Sequence, residues 1–213
     1  MKTDDLVSML ATGVAPAPRR AATHRLALAL AVGLPLSLAL MRVDYGLRRD
    51  LLEVMFWPMF WVKGLFSACV ALAGFVMLQR LARPGVRVRQ AWLGVALPVA
   101  LVWVLAVIAW SRAPADARMP MLMGQTWKTC ALSICWIGLP VFATSMLALR
   151  SLAPTRLALA GAAAGALAGG VGAAVYALHC IELAAPFLAV WYVGGIALSA
   201  AMGALLGPRL LRW

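Results

Sequence analysis

Acidic residues are scarce in this chain. Seven Asp and Glu stand against nineteen Lys and Arg in 213 residues, a formal charge of +12. Histidine occurs twice, and lysine only as Lys2, Lys63 and Lys128. Aromatic residues make up 8%. Each shortage removes a class of function. There is no Gly-rich phosphate loop, no H-E-x-x-H and no nucleophile–base arrangement, so an enzyme is not expected. No Asp, Glu or His falls near the middle of an apolar run, where a pump or permease needs ion or proton ligands. No C-x-x-C is present, which excludes a thioredoxin-type redox motif. The chain also lacks a polar stretch long enough for a soluble domain, and it has no repeat of 20–50 residues. A basic balance in a soluble protein points to nucleic acid. Here the charges cluster between apolar runs, so no direct nucleic-acid contact is expected.

What the chain has in excess is Ala, Leu, Val and Gly. The apolar fraction is 64%, against about 45–50% in soluble domains. A membrane-crossing helix needs about 20 mainly apolar residues, and six segments supply them: 26–41, 57–78, 91–110, 127–149, 157–178 and 186–206. The first is short and must recruit flanking residues. It follows Arg19, Arg20 and Arg25 as a signal peptide would, but no small-x-small site precedes Arg42, so it reads as a retained span. Trp57, Trp61, Trp110, Trp127 and Trp191 lie near span ends, as interfacial aromatics do. Lys63 is placed near the outer end of the second span, from which its stem can snorkel to the interface.

The basic residues set the orientation. With the N-terminus inside, twelve of the nineteen fall on the inner side. The loop at 80–89 holds Arg80, Arg83, Arg87 and Arg89 without an acid and marks the cytoplasmic face. The expected architecture is an all-α integral membrane protein, a six-helix transmembrane bundle with both termini cytoplasmic. Residues 1–25 form a cytosolic segment with a short amphipathic helix, 26–207 the six-span domain in the lipid bilayer, and 208–213 a short cytosolic tail. Gly161, Gly165 and Gly169 repeat every four residues, which lets helix backbones approach closely in lipid. That row either packs within the monomer or joins two copies as a homodimer. Pro35, Pro98 and Pro140 fall inside spans and should kink them.

Four cysteines remain. Cys130 opens the fourth span and Cys180 follows the fifth, so antiparallel neighbours carry both thiols to the same outer membrane–water boundary. His179, Cys180 and Glu182 form H-C-x-E there. Thiolate, imidazole and carboxylate are plausible ligands of a soft or borderline metal. The same thiols could instead oxidise to a disulfide in an oxidising periplasm. Cys69 and Cys135 read as small packing residues within the bundle. At the other end of the chain, Thr3 can cap a helix with Asp4 and Asp5 in its first turn. Leu6, Val7, Leu10 and Val14 then share one apolar face. Such a helix, tethered by a Pro-Arg linker, suits a partner's groove or the membrane surface.

The opening Lys2-Thr3-Asp4-Asp5-Leu6, the six spans and the cysteine placement resemble the NrsF family of bacterial inner-membrane anti-sigma factors. The most specific parts are that opening, Cys130, the stretch from His179 through Cys180 and Ile181 to Glu182, then Ala185, Pro186, Phe187, Trp191 and Tyr192. Family members often have proline after the second cysteine, where this chain has Ile181. The resemblance implies that the partner is an extracytoplasmic-function (ECF) sigma factor, held through cytosolic segments that include Asp4, Asp5, Leu6 and Leu10. It also implies that Cys130 and Cys180, with His179 and Glu182 beside them, sense heavy metal or oxidative stress. Metal would then be held transiently by the two thiols, and no resident cofactor is expected. A small membrane thiol oxidoreductase or a metal permease is the alternative reading.

Overall fold

The computed structural model describes residues 3–12, 21–83, 86 and 88–212. Lys2, Val14, Pro16, Pro18, Arg19, Arg20, Arg87 and the terminal Trp213 lie outside the described residues, as does the side chain of Arg89.

The described residues are helical, with no strand among them. A first short helix, α1 (Thr3–Ala11), precedes α2 (Ala21–Asp44), a short α3 (Leu51–Val54), α4 (Pro58–Leu81), α5 (Leu93–Arg112), α6 (Ala115–Met123), α7 (Trp127–Arg150) and α8 (Leu157–Tyr176). The last run begins with a single turn, α9 (Ala185–Phe187), passes through a π turn at Leu188–Tyr192 and ends in α10 (Val193–Leu210). Six of these helical runs are long and apolar enough to cross a membrane: Ala21–Asp44, Pro58–Leu81, Gln90–Arg112, Ala115–Arg150, Leu157–Tyr176 and Ala185–Leu210. Each overlaps a segment expected from the sequence. The first lengthens to 24 residues by taking in polar flanks at both ends. The helices continue through Pro35, Pro98 and Pro140.

The bundle is organised around α8. Its sequence is almost entirely Ala, Gly, Leu and Val, and nearly every residue from Ala160 to Tyr176 is buried. It packs against α4, α7 and α10; α2 lies on α7, and α5 lies outside against α4 and α9. Small residues make this central place available. A Cβ on Gly161 or Gly165 would strike the carbonyl of Gly203 or Ser199 on α10, and one on Gly172 would strike that of Ile134 on α7. A Cβ on Gly170 would meet the backbone of Ala71 on α4. Backbones touch on three sides, the close approach that small residues allow. Gly161, Gly165 and Gly169 are therefore filled by α10 of the same chain, and that row is not open to a second copy.

The turns at 45–50 and 177–184 and the segment 113–126, which contains α6, gather at one end of the bundle, the cysteine end. Residues 82–83, 88–92 and 151–156 lie at the other, where Arg25 at the start of α2 donates to the Ser151 carbonyl at 3.0 Å. The α1 helix is exposed along its length, with Asp4 and Asp5 in its first turn and Leu6 and Leu10 open to solvent.

Candidate functional site

Cys130 lies in the first turn of α7, and Cys180 lies four residues beyond α8 in the irregular connector to α9. Because α7 and α8 are antiparallel neighbours, the two come to the same end, as their places in the sequence require. They are within electrostatic reach of each other, and both are free thiols. Both are buried, with relative exposures of 0% and 1%. The turn after α2 and the connector fold over them as a cap.

That cap is built from side chains the sequence scatters. The His179 ring packs against both Tyr45 and Tyr176, with centroids 5.3 and 5.7 Å away, and its Nδ1 is 3.0 Å from the Gly46 carbonyl. The Tyr45 hydroxyl donates to Ser133 on α7 at 3.1 Å. The Arg48 guanidinium, itself buried, donates from Nε and Nη2 to the two Asp50 carboxylate oxygens at 2.8 Å each. Its Nη1 donates to the Cys180 carbonyl at 3.2 Å. The bond to Arg48 holds the Asp50 carboxyl below the usual carboxylate range, and the same bond raises Arg48 above its ordinary value.

Glu182 points to a third segment. Its Oε1 accepts the Gln125 backbone N–H at 2.6 Å, and its carboxylate occupies the space where a Cβ on Gly124 would stand. Gly124 has φ +54°, a left-handed conformation that favours glycine. The residues of H-C-x-E thus turn to different partners: His179 to the turn after α2, Cys180 inward, Glu182 to the turn before α7. Among the described residues, no group of three or more His, Cys, Asp or Glu side chains is placed to hold a metal ion.

Lys63 is the residue whose place the sequence misjudged. It is fully buried and does not snorkel. Its Nζ donates to the carbonyls of Cys180 and Glu182 at 2.9 Å each and lies 4.8 Å from the centroid of the Tyr192 ring. The stripe Phe60, Lys63, Ser67, Val70, Ala71, Gly74 recurs at helical spacing and is the buried face of α4. That spacing was the available signal. The same stripe corrects Cys69, which falls off it and is exposed on the side of the bundle. Cys135 is packed, as expected: the Ser199 hydroxyl on α10 donates to its sulfur at 3.2 Å. Tyr192, on the π turn, is wholly buried, and its hydroxyl has no hydrogen-bond partner. A cleft of about 540 Å³, lined by Tyr45, Arg48, Arg49, Asp50, His179 and Cys180 among others, leads from the surface to the connector.

The family model described as "Negative regulator of sigma F" matches residues 10–213. The chain belongs to the NrsF family. An NrsF protein of Azospira oryzae named "Probable anti-sigma-F factor NrsF" is 42% identical over 213 residues, covering all of both chains. The "Anti-sigma-F factor NrsF" of Caulobacter vibrioides is 38% identical over 218 residues, again covering all of both. The NrsF model begins at residue 10, beyond the Lys-Thr-Asp-Asp-Leu opening, whereas both relatives align with the whole chain. No solved structure matches.

Proposed function

We propose that this NrsF protein is a membrane-bound anti-sigma factor of the bacterial inner membrane. It sequesters an ECF sigma factor in the cytoplasm and releases it when Cys130 and Cys180, on the periplasmic side, meet heavy metal or oxidant. The observation that carries this reading is the division of the molecule between its ends. The thiol pair and its cap gather at one end. The first span, α2, begins at the other, where Arg80 and Arg83 also lie. The basic loop supports placing that second end in the cytoplasm. Exposed Leu6 and Leu10, beside Asp4 and Asp5, offer a sigma factor an amphipathic helix face.

The relatives' names support the sigma-factor partner. Burial of the thiols suits a sensor, because a reagent must open the cap to reach them and the opened cap is a second conformation. A ligand shifts such an equilibrium only by its preference for one state. His179 and Glu182 serve this reading by holding the cap closed.

The test is transcription of the sigma regulon in four single serine variants, with and without cadmium or dichromate. Cys130→Ser and Cys180→Ser should still capture the sigma factor but lose induction. Cys69→Ser and Cys135→Ser should induce normally. Full induction in both of the first pair would end the sensor reading.

A further inference from the structure

The thiol pair has a neighbour that a passive packing role does not explain. Lys63 places an ammonium in the protein interior, and among the described residues no carboxylate lies within ion-pair distance of it. Glu182 meets it with its backbone carbonyl and sends its carboxylate to Gln125. The charge is met by two carbonyl dipoles and the face of Tyr192. Arg48 is the other cation close by, and Tyr176 the other ionisable ring. A buried cation without an ionic partner persists only where every donor is placed.

Lys63 also joins two parts of the molecule. It belongs to α4, while both of its acceptors belong to the connector that carries Cys180. The α4 helix runs from this end to the basic loop that begins at Arg80, about 26 Å along its axis. Against α8 it has backbone contacts at Gly74 with Leu167 and at Ala71 with Gly170. A helix seated so closely moves as a rod.

We propose that Lys63 is the coupling residue of this protein: it ties α4 to the Cys180 connector in the sigma-binding state, and loss of that tie is what α4 carries to the opposite end. This rests on the reading of Cys130 and Cys180 as the sensor. A thiophilic divalent cation that draws the sulfurs of Cys130 and Cys180 together moves Cys180, and with it the carbonyl that holds the ammonium. Once that carbonyl shifts, Lys63 has no carboxylate within reach among the described residues, so its turn of α4 separates from the connector. Tyr192 stands ready on the same side. Its unpartnered hydroxyl can donate to a connector carbonyl that the ammonium has left.

The test uses Lys63→Met in the full-length membrane protein, with cadmium chloride as the probe. The sigma regulon should be raised at least about fivefold without cadmium, and cadmium should add little. The double variant Lys63→Met/Cys130→Ser should remain raised, because the tie acts after the thiols. Purified Lys63→Met should still show the ultraviolet charge-transfer band of cadmium–thiolate bonds, which an unfolded site would lose. Lys63→Arg, which keeps two donors and the charge, should repress as the parent does. Repression and induction by Lys63→Met that match the parent would overturn the proposal, as would a double variant locked in repression. If the methionine variant does not accumulate in the membrane, Lys63→Gln replaces it with the same expected outcomes. Failure of the sensor reading is separately visible as full induction in Cys130→Ser and Cys180→Ser alone.

Discussion

Gly165 on α8 faces the carbonyl oxygen of Ser199 on α10 so closely that a Cβ at Gly165 would overlap it. Gly161 and Gly203 make the same approach reciprocally one turn away. Replacing Gly165 with leucine must push two helix backbones apart, and overpacking of this kind costs roughly 1–3 kcal/mol. Gly194 is the control, since a Cβ there meets nothing within 4 Å. Thermal unfolding in detergent should show a lower midpoint for Gly165→Leu and little change for Gly194→Ala.

The cap should respond to pH through Arg48 and Asp50. The bond to Arg48 lowers the Asp50 carboxyl, so its contribution to stability is complete above the ordinary carboxylate value. That contribution is lost as pH falls through the lowered value. The Arg48 tie should therefore be constant across neutral pH and weaken only in acid. Asp50→Asn leaves a buried guanidinium with a neutral partner, and it should lower the melting midpoint at pH 7 while removing the acid-dependent part of the curve. A parental curve unchanged down to pH 3 would contradict this assignment.

Glu182 and Gly124 form one device. Glu182→Gln replaces a charge-assisted acceptor of the Gln125 N–H with a neutral one, a loss of about 1 kcal/mol. Gly124→Ala is expected to be worse, because it adds a side chain at φ +54° and fills the carboxylate's seat. Both should make Cys180 more reactive toward a small neutral thiol reagent, measured by mass spectrometry of the protein in detergent. Equal labelling rates in parent and variants would mean that this bond does not guard the thiols.

The exposed helix α1 gives a prediction that leaves the bundle untouched. Deleting residues 2–15, or replacing Leu6 and Leu10 together with serine, should weaken sigma-factor capture while membrane extraction and thermal midpoint stay as in the parent. The same should hold for Asp4→Asn with Asp5→Asn, to a smaller degree. Co-purification of the sigma factor reads the effect. Undiminished capture after the deletion would move the contact to the loops at 82–92 and 151–156.

The six apolar runs, the close-packing Gly row of one helix and the meeting of Cys130 and Cys180 at one end were legible in the sequence. Each follows from one-dimensional pattern: apolar length sets the span, four-residue spacing of small residues sets close packing, and alternation of spans sets which ends meet. Cys69 and Lys63 show where pattern alone misled. Each was judged by residue type and depth along a span, whereas the azimuth around α4 decides their surroundings. That azimuth puts Lys63 on the buried stripe and Cys69 outside it.

The division of labour within His179-Cys180-Ile181-Glu182 belongs to the tertiary structure alone. As sequence, these neighbours look like a single donor set. The connector leaves helical geometry after α8, so successive side chains diverge toward Gly46, the thiol pocket and Gln125. Sequence by itself determined that the chain consists of apolar helices with two thiols at one level, because hydropathy and helical rise are local properties. Only the folded bundle decided that those thiols lie under a cap beside a buried ammonium, because that depends on which faces of α4, α7 and the last helical run turn toward one another.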